Sequence, residues 1–368
     1  MNGLLVKFRN VFGQVSIFSV AVPIAACIIL AGTQLNLGAY YSLLVAAALI
    51  GAVLSAVHHA EVVAHKLGEP YGTLLLAVAI TVIEVGLIIS LMLTGGPETA
   101  ALARDTVFAA VMIIVSGIVG LCLLIGGLLY KEQVFRLHGA NAALTTLAAI
   151  VVLTLILPNY TLTKAGPLYS ASQLAFIAIV SLVLYGTFVF VQVIRHRNYF
   201  LDAADNSGLV LHSASTSSKV AMMSTVLLLV CLVAVVLLAK SLAPDIESAV
   251  IAMGAPHQLV GVIIASIVLL PEGLAAIRAA RKNMFQTSLN LALGSALASI
   301  GLTIPAVAIL SLLTGWTLIL GIDMKSTLLL LLALFVSSLS LATGRTNVLQ
   351  GVILLVIFAV YLFTTVIP

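Results

Sequence analysis

Eleven stretches of mostly apolar residues, separated by short polar breaks, make up nearly the whole chain. They fall at about 15–35, 40–60, 71–94, 106–129, 141–158, 170–194, 219–240, 248–277, 286–313, 323–342 and 347–367. Each is long enough to cross a bilayer as one helix of roughly 20 residues. A helix bonds its own backbone internally, which hydrocarbon requires of any open spanning segment. The pattern therefore predicts an all-α integral membrane fold of about 11 transmembrane helices. The eighth and ninth stretches contain Pro271 and Pro305, where kinks or local unwinding are expected. The first apolar run is too long for the core of a signal peptide and is followed at once by further spans, so it reads as a retained helix.

The only long polar break, residues 195–219, leaves six spans before it and five after it. Spans 2–6 and spans 7–11 then begin from opposite sides of the membrane. This is the arrangement of two inverted five-helix repeats behind an amino-terminal helix, with a site expected at the bilayer midplane. The corresponding segments are 1–38 (amino-terminal segment and first helix), 39–194 (first repeat), 195–219 (cytoplasmic linker) and 220–368 (second repeat).

Composition agrees: 62% of residues are hydrophobic and 8% charged, with mean hydropathy +1.27, whereas soluble domains carry about 25% charged residues. The net charge of +4 does not indicate a nucleic-acid partner, because the basic residues lie in loops or at span ends. They act as topology determinants. With a cytoplasmic amino terminus, twelve lysines and arginines fall inside and four outside (Arg104, Lys164, Lys240 and Lys325), the expected positive-inside bias. The carboxyl terminus is then outside, and the lipid bilayer is the chain's first partner. Cys27, Cys122 and Cys231 are scattered through apolar runs without metal-ligand or disulfide spacing and read as buried thiols.

Against this background, two glutamates stand out. Glu84 sits in the middle of the third span, after GEPYGT; Glu272 sits in the eighth, after GAPHQL. A carboxylate at the bilayer centre costs roughly 2.5–3.5 kcal/mol on insertion scales, so each marks a functional position. Brought together, two carboxylates in low dielectric cannot both stay charged and empty. They hold either protons or a cation. Calcium takes 6–8 oxygens, including carboxylates and main-chain carbonyls. Thr81, Ser116, Ser266, Asn290 and Ser295 are candidate supporting oxygens, and Gly117 and Gly294 allow close backbone approach. Such competition is sufficient for antiport: one divalent cation balances two protons, and a monovalent cation remains the alternative. No resident cofactor is required. Calcium is cargo, and Glu84 and Glu272 are its expected metal ligands.

Other polar groups carry less. His58, His59, Glu61, His65 and Glu69 cluster near the end of span 2 and read as polar residues ending a helix at the interface, with a metal site or pH sensor as the alternative. Arg345 reads as a topology charge or as a gate contact. Trp316, Tyr40, Tyr41 and Tyr160 read as interfacial anchors. No nucleophile–base set at catalytic spacing supports an enzyme, and paired buried carboxylates favour an occluding carrier over an open channel.

Five segments in order, LGEPYGTLLL, the span around Glu84, PEGLAAI, MFQTSLNLALGSALASIGLT and ATGRTNVLQG, resemble the bacterial ChaA-type calcium/proton antiporters of the CAX branch of the cation/calcium exchanger superfamily. The resemblance runs from about Val57 to Gly351 and implies ten core helices in two inverted repeats, one essential glutamate per repeat at Glu84 and Glu272, and small or polar positions at Ser116, Gly117, Asn290, Gly294 and Ser295. It implies exchange of calcium, and of sodium or potassium in some members, for protons across the inner (cytoplasmic) membrane. Two departures stand out. The central loop has only Asp202 and Asp205 where the family carries an acidic run, and span 4 lacks an Asn or Gln beside Ser116-Gly117. The second predicts weaker calcium selectivity.

Overall fold

The computed structural model describes residues 17–33, 39–67, 71–201, 217–254, 256 and 258–367. Among them are eleven long helices, in the order the hydropathy pattern predicts: α1 (Ile17–Gly32), α2 (Ala39–Leu67), α3 (Tyr71–Gly95), α4 (Leu102–Tyr130), α5 (Leu137–Tyr160), α6 (Ala171–Arg195), α7 (Ser218–Ala252), α8 (Gln258–Arg281), α9 (Phe285–Thr314), α10 (Met324–Leu341) and α11 (Val348–Val366). Nine of these described helices are long and apolar enough to span a bilayer, and α1 and α3 contribute shorter apolar stretches. The chain is a multi-pass membrane protein.

Two boundaries differ from the hydropathy reading. Helix α2 continues to Leu67, so His58, His59 and Glu61 lie inside it and not at its end. Helix α7 runs through Pro244 to Ala252, so the eighth span starts later, at Gln258. A hydropathy window ends where charge appears, whereas a helix continues while its backbone ladder is intact. The expected unwinding at Pro271 and Pro305 is absent: α8 and α9 remain helical through both. The irregularities lie elsewhere, in wide π turns at Ile113–Ile118 of α4, Val152–Ile156 of α5 and Val191–Arg195 of α6.

The helices group into two compact units. One comprises Met1–Leu91 with Leu211–Ala249; the other comprises Met92–Val210 with Val250–Pro368. The first thus takes α1, α2, most of α3 and most of α7. In it, α1 packs along α2, and Gly86 of α3 faces Val236 of α7, where an added Cβ would come within 3.2 Å of the valine.

The second unit is built around α4, the most buried of the spanning helices. Helices α8 and α11 pack against α4, and α9 packs against α5, α6 and α8. The α4–α11 seam depends on missing side chains. A Cβ on Gly351 would stand 2.8 Å from Leu124 Cα and 2.9 Å from the Gly120 carbonyl oxygen. Local signals set the ends of the outer helices. Ser170 and Gln173 form a reciprocal capping box at the start of α6. Asp323 accepts from Ser326 N at 2.6 Å to start α10. Gly315, at φ 72°, closes α9 in the left-handed conformation that glycine adopts without cost. In the loop before α6, burial pushes the Tyr169 phenol up to about 12, and its hydroxyl donates to the Leu153 carbonyl.

Candidate functional site

In the first unit, Glu84 is 4% exposed on a helix whose neighbouring turns bury Ile80, Ile83, Leu87 and Ile88. Thr81, one turn earlier, is equally buried. The i, i+3 spacing puts its hydroxyl on the carboxylate's side of α3. A carboxylate in an apolar span is held there against the insertion cost.

In the second unit, Glu272 is 7% exposed on α8, and its Oε1 accepts from Ser295 Oγ of α9 at 3.3 Å. Gly273 brings α8 close to α4, where an added Cβ would be 3.2 Å from Ile118. Pro271 has no N–H, so the Ile267 carbonyl one turn back loses its usual helical donor, yet the helix stays continuous there.

The remaining candidates divide. Ser116 is fully buried in the π turn of α4, and its hydroxyl donates to Met112 O at 2.5 Å. Gly117, beside it, faces Phe358 of α11. Ser266 is exposed and donates to Val262 O at 2.7 Å. Six residues before Glu272, it lies about 120° around the helix from the carboxylate. Asn290 and Gly294 face a small cavity with Gly139, Ala143, Phe188 and Phe200. The Asn290 amide donates to the Phe200 carbonyl, and its oxygen accepts from Gln286 at 2.9 Å. Ser295 makes a hydrogen bond to Glu272.

Three contributors were not anticipated from the sequence. The π turn at Ile113–Ile118 widens α4 at the Ser116-Gly117 pair, and such turns are frequent at functional sites. Ser337 of α10 donates to the Val115 carbonyl of that turn at 3.4 Å. Phe200, just past α6, is buried against Phe188. The i, i+4 pair Gln286/Asn290 was the one sequence signal for the last of these; nothing in the pattern marks a π turn. Among the described residues, no group of three or more His, Cys, Asp or Glu side chains could hold a metal. Glu69 lies outside the described residues, as do Asp202 and Asp205. Arg345 pairs with Glu132 at 3.3 Å on the surface, with side chains 67% and 57% exposed, where such pairs contribute little.

The comparisons agree with this architecture. The sequence profile described as sodium/calcium exchanger protein matches residues 37–194 and 223–367. The y4hA protein of Sinorhizobium fredii (strain NBRC 101917 / NGR234) is 46% identical over 359 residues, covering 96% of this chain and 97% of that protein. The sodium-potassium/proton antiporter ChaA of Escherichia coli (strain K12) is 34% identical over 327 residues, 88% of each chain. The crystal structure of the H+/Ca2+ exchanger CAX superposes with TM-score 0.71 at 18% identity, covering 94% of this chain and 87% of that one, and so shares its fold. A helical membrane chain with one buried glutamate in each unit, matched by this profile over most of its length, belongs to the sodium/calcium exchanger family.

Proposed function

We propose that the chain is a secondary antiporter of the cytoplasmic membrane that exchanges Ca2+ for H+, with Glu84 and Glu272 as the shared binding groups. The observation that carries the reading is the burial of one carboxylate in the middle of an apolar helix in each unit. A carboxylate in that environment needs a neutralising guest, and proton and cation are mutually exclusive guests. The Ser295 hydroxyl, beside the Glu272 carboxylate, is a neutral oxygen of the kind Ca2+ takes. With the amino terminus inside, as the basic residues favour, the proton gradient drives cation out of the cell.

A second reading, monovalent exchange, is favoured by one observation: the 34% identical relative is named a sodium-potassium/proton antiporter.

Everted vesicles with a respiration-driven proton gradient test both readings. Calcium, sodium and potassium are added in turn while a pH-sensitive dye reports the gradient. Calcium is expected to dissipate it; a response to sodium or potassium alone selects the second reading. Glu84→Gln and Glu272→Gln are each expected to cut exchange at least about a hundredfold, on the order of 3 kcal/mol. Exchange surviving in either variant removes that residue from the site. Apparent cation affinity is expected to fall as pH falls, because protonation withdraws the ligands; affinity constant with pH contradicts the shared site.

A further inference from the structure

Besides Glu84, the first unit buries the imidazole of His59 on α2, which is 0% exposed. Its Nε2 lies 2.9 Å from the Ser19 carbonyl oxygen of α1. A carbonyl accepts only, so Nε2 carries the hydrogen and Nδ1 is a bare acceptor. Among the described residues Nδ1 has no hydrogen-bond partner, and neither does the Oγ of Ser224 on α7, which is also 0% exposed. Two open, fully buried polar atoms in one small helix cluster are uncommon, since burial without a partner is costly.

Their levels along the helix axes follow one another. Ser42 of α2 donates to Asp245 of α7, and the side chains of Ser55 and Cys231 meet, so α2 and α7 are antiparallel. In that register His59 lies opposite about Leu227, and Ser224 lies one turn further on, about 5 Å along the axis. Gly86 of α3 faces Val236 of α7. Consecutive spans run in opposite directions, so α3 is parallel to α7. Glu84 is then level with about Ala234, and His59 sits about 10 Å from that level. Buried Thr81 and Ser55 fall between the two levels. The sequence of levels is Glu84, Thr81, Ser55, His59, Ser224, and then the amino-terminal end of α7.

We propose that His59 is a proton carrier between Glu84 and the face of the membrane where α2 ends and α7 begins. This rests on the antiporter reading above, under which that face is cytoplasmic. A proton from water enters at the Ser224 end and binds Nδ1, giving imidazolium, while the Nε2 hydrogen stays on Nε2, bonded to the Ser19 carbonyl. Nδ1 then gives up its proton toward the Glu84 carboxylate through intervening water and the Thr81 hydroxyl, which releases its own proton as it takes one, and His59 returns to neutral; the Ser55 hydroxyl meanwhile donates to the Ser19 carbonyl at 3.3 Å. The reverse sequence releases protons from Glu84. A histidine suits this because one ring nitrogen can take up and release a proton while the other keeps its hydrogen bond. The titratable group nearest on its own helix is His58, with ring centroids 5.6 Å apart. Glu61, Lys66 and, on α7, Lys219 are exposed. Among the described residues of α1 and α7, Cys231 is a buried thiol in contact with Ser55, and Cys27 is exposed.

The test is His59→Gln, whose amide nitrogen can still donate to the Ser19 carbonyl but cannot take up a proton. In everted vesicles the cytoplasmic face is the outer one, and its pH is varied. Relay through His59 predicts exchange slowed about tenfold, a flattened dependence of rate on outer pH, and apparent cation affinity within twofold of the parent. A variant with the parent's rate and pH profile overturns the proposal. Ser224→Ala, which leaves the α1–α2 link intact, is expected to slow exchange several-fold without lowering thermal stability in detergent; a parental rate in this variant also counts against the relay. If the parent protein shows no proton-coupled flux with any cation, the antiporter reading itself has failed. A parent that exchanges beside an unaltered His59→Gln refutes only the relay.

Discussion

At the scale of single residues, the hydrogen bond from Ser295 to Glu272 is the most exposed part of the site reading. The donor–acceptor distance of 3.3 Å is long for two oxygens. The hydroxyl therefore orients the carboxylate more than it neutralises it. Ser295→Ala is expected to raise the cation concentration needed for half-maximal exchange about three- to tenfold, in line with a charge-assisted bond of about 1.5 kcal/mol or less, with little change in maximal rate. Titrating calcium in the vesicle assay checks it; an unchanged half-saturation point would separate Ser295 from the site. Glu84, Glu272 and Ser295 were legible in the sequence because a polar group within an apolar run is conspicuous in any order of reading. The helix face of Ser266 and the alternative partners of Asn290 were not legible, since neither hydropathy nor spacing says what a side chain will meet.

At the scale of elements, α4 and α11 approach through glycine. With Leu124 backbone only 2.8 Å from the place a Cβ would occupy on Gly351, alanine there forces the helices apart. Overpacking of this kind costs about 1–3 kcal/mol. Gly351→Ala is expected to lower the melting temperature in detergent by several degrees, while alanine at Gly294, whose Cβ would meet nothing within 4 Å, leaves it unchanged. Equal melting temperatures for the two variants would contradict the close-packed seam. The π turn of α4 belongs to the same scale. It adds a residue to one turn and leaves backbone to be satisfied from outside, which Ser337 does from more than two hundred positions away in sequence. Such a partner has no local signal, which explains why a proline-based expectation looked for irregular backbone in α8 and α9 instead.

At the scale of the whole molecule, the distribution of lysine and arginine predicts a cytoplasmic amino terminus and, with eleven spans, an external carboxyl terminus. A carboxyl-terminal alkaline phosphatase fusion is expected to be active and a green fluorescent protein fusion dark. The opposite result would reverse the orientation and with it the face that His59 serves. The division into compact units also belongs to this scale. The repeats anticipated from sequence are contiguous, 39–194 and 220–368, whereas each packed unit draws helices from both sides of the central linker.

The sequence by itself determined that the chain spans a membrane about eleven times, where most spans fall to within a few residues, and that Glu84 and Glu272 are carboxylates inside apolar runs. Those properties follow from transfer of side chains between water and hydrocarbon, which depends on composition and length alone. Only the tertiary structure decided which hydroxyl reaches Glu272, where α4 widens, which glycines let helices touch, and that His59 is sealed inside the first unit. Those depend on the rotation of each helix about its axis and on contacts between residues distant in sequence. Nearly uniform apolarity carries almost no information about either, because lipid and protein interior look alike to a leucine.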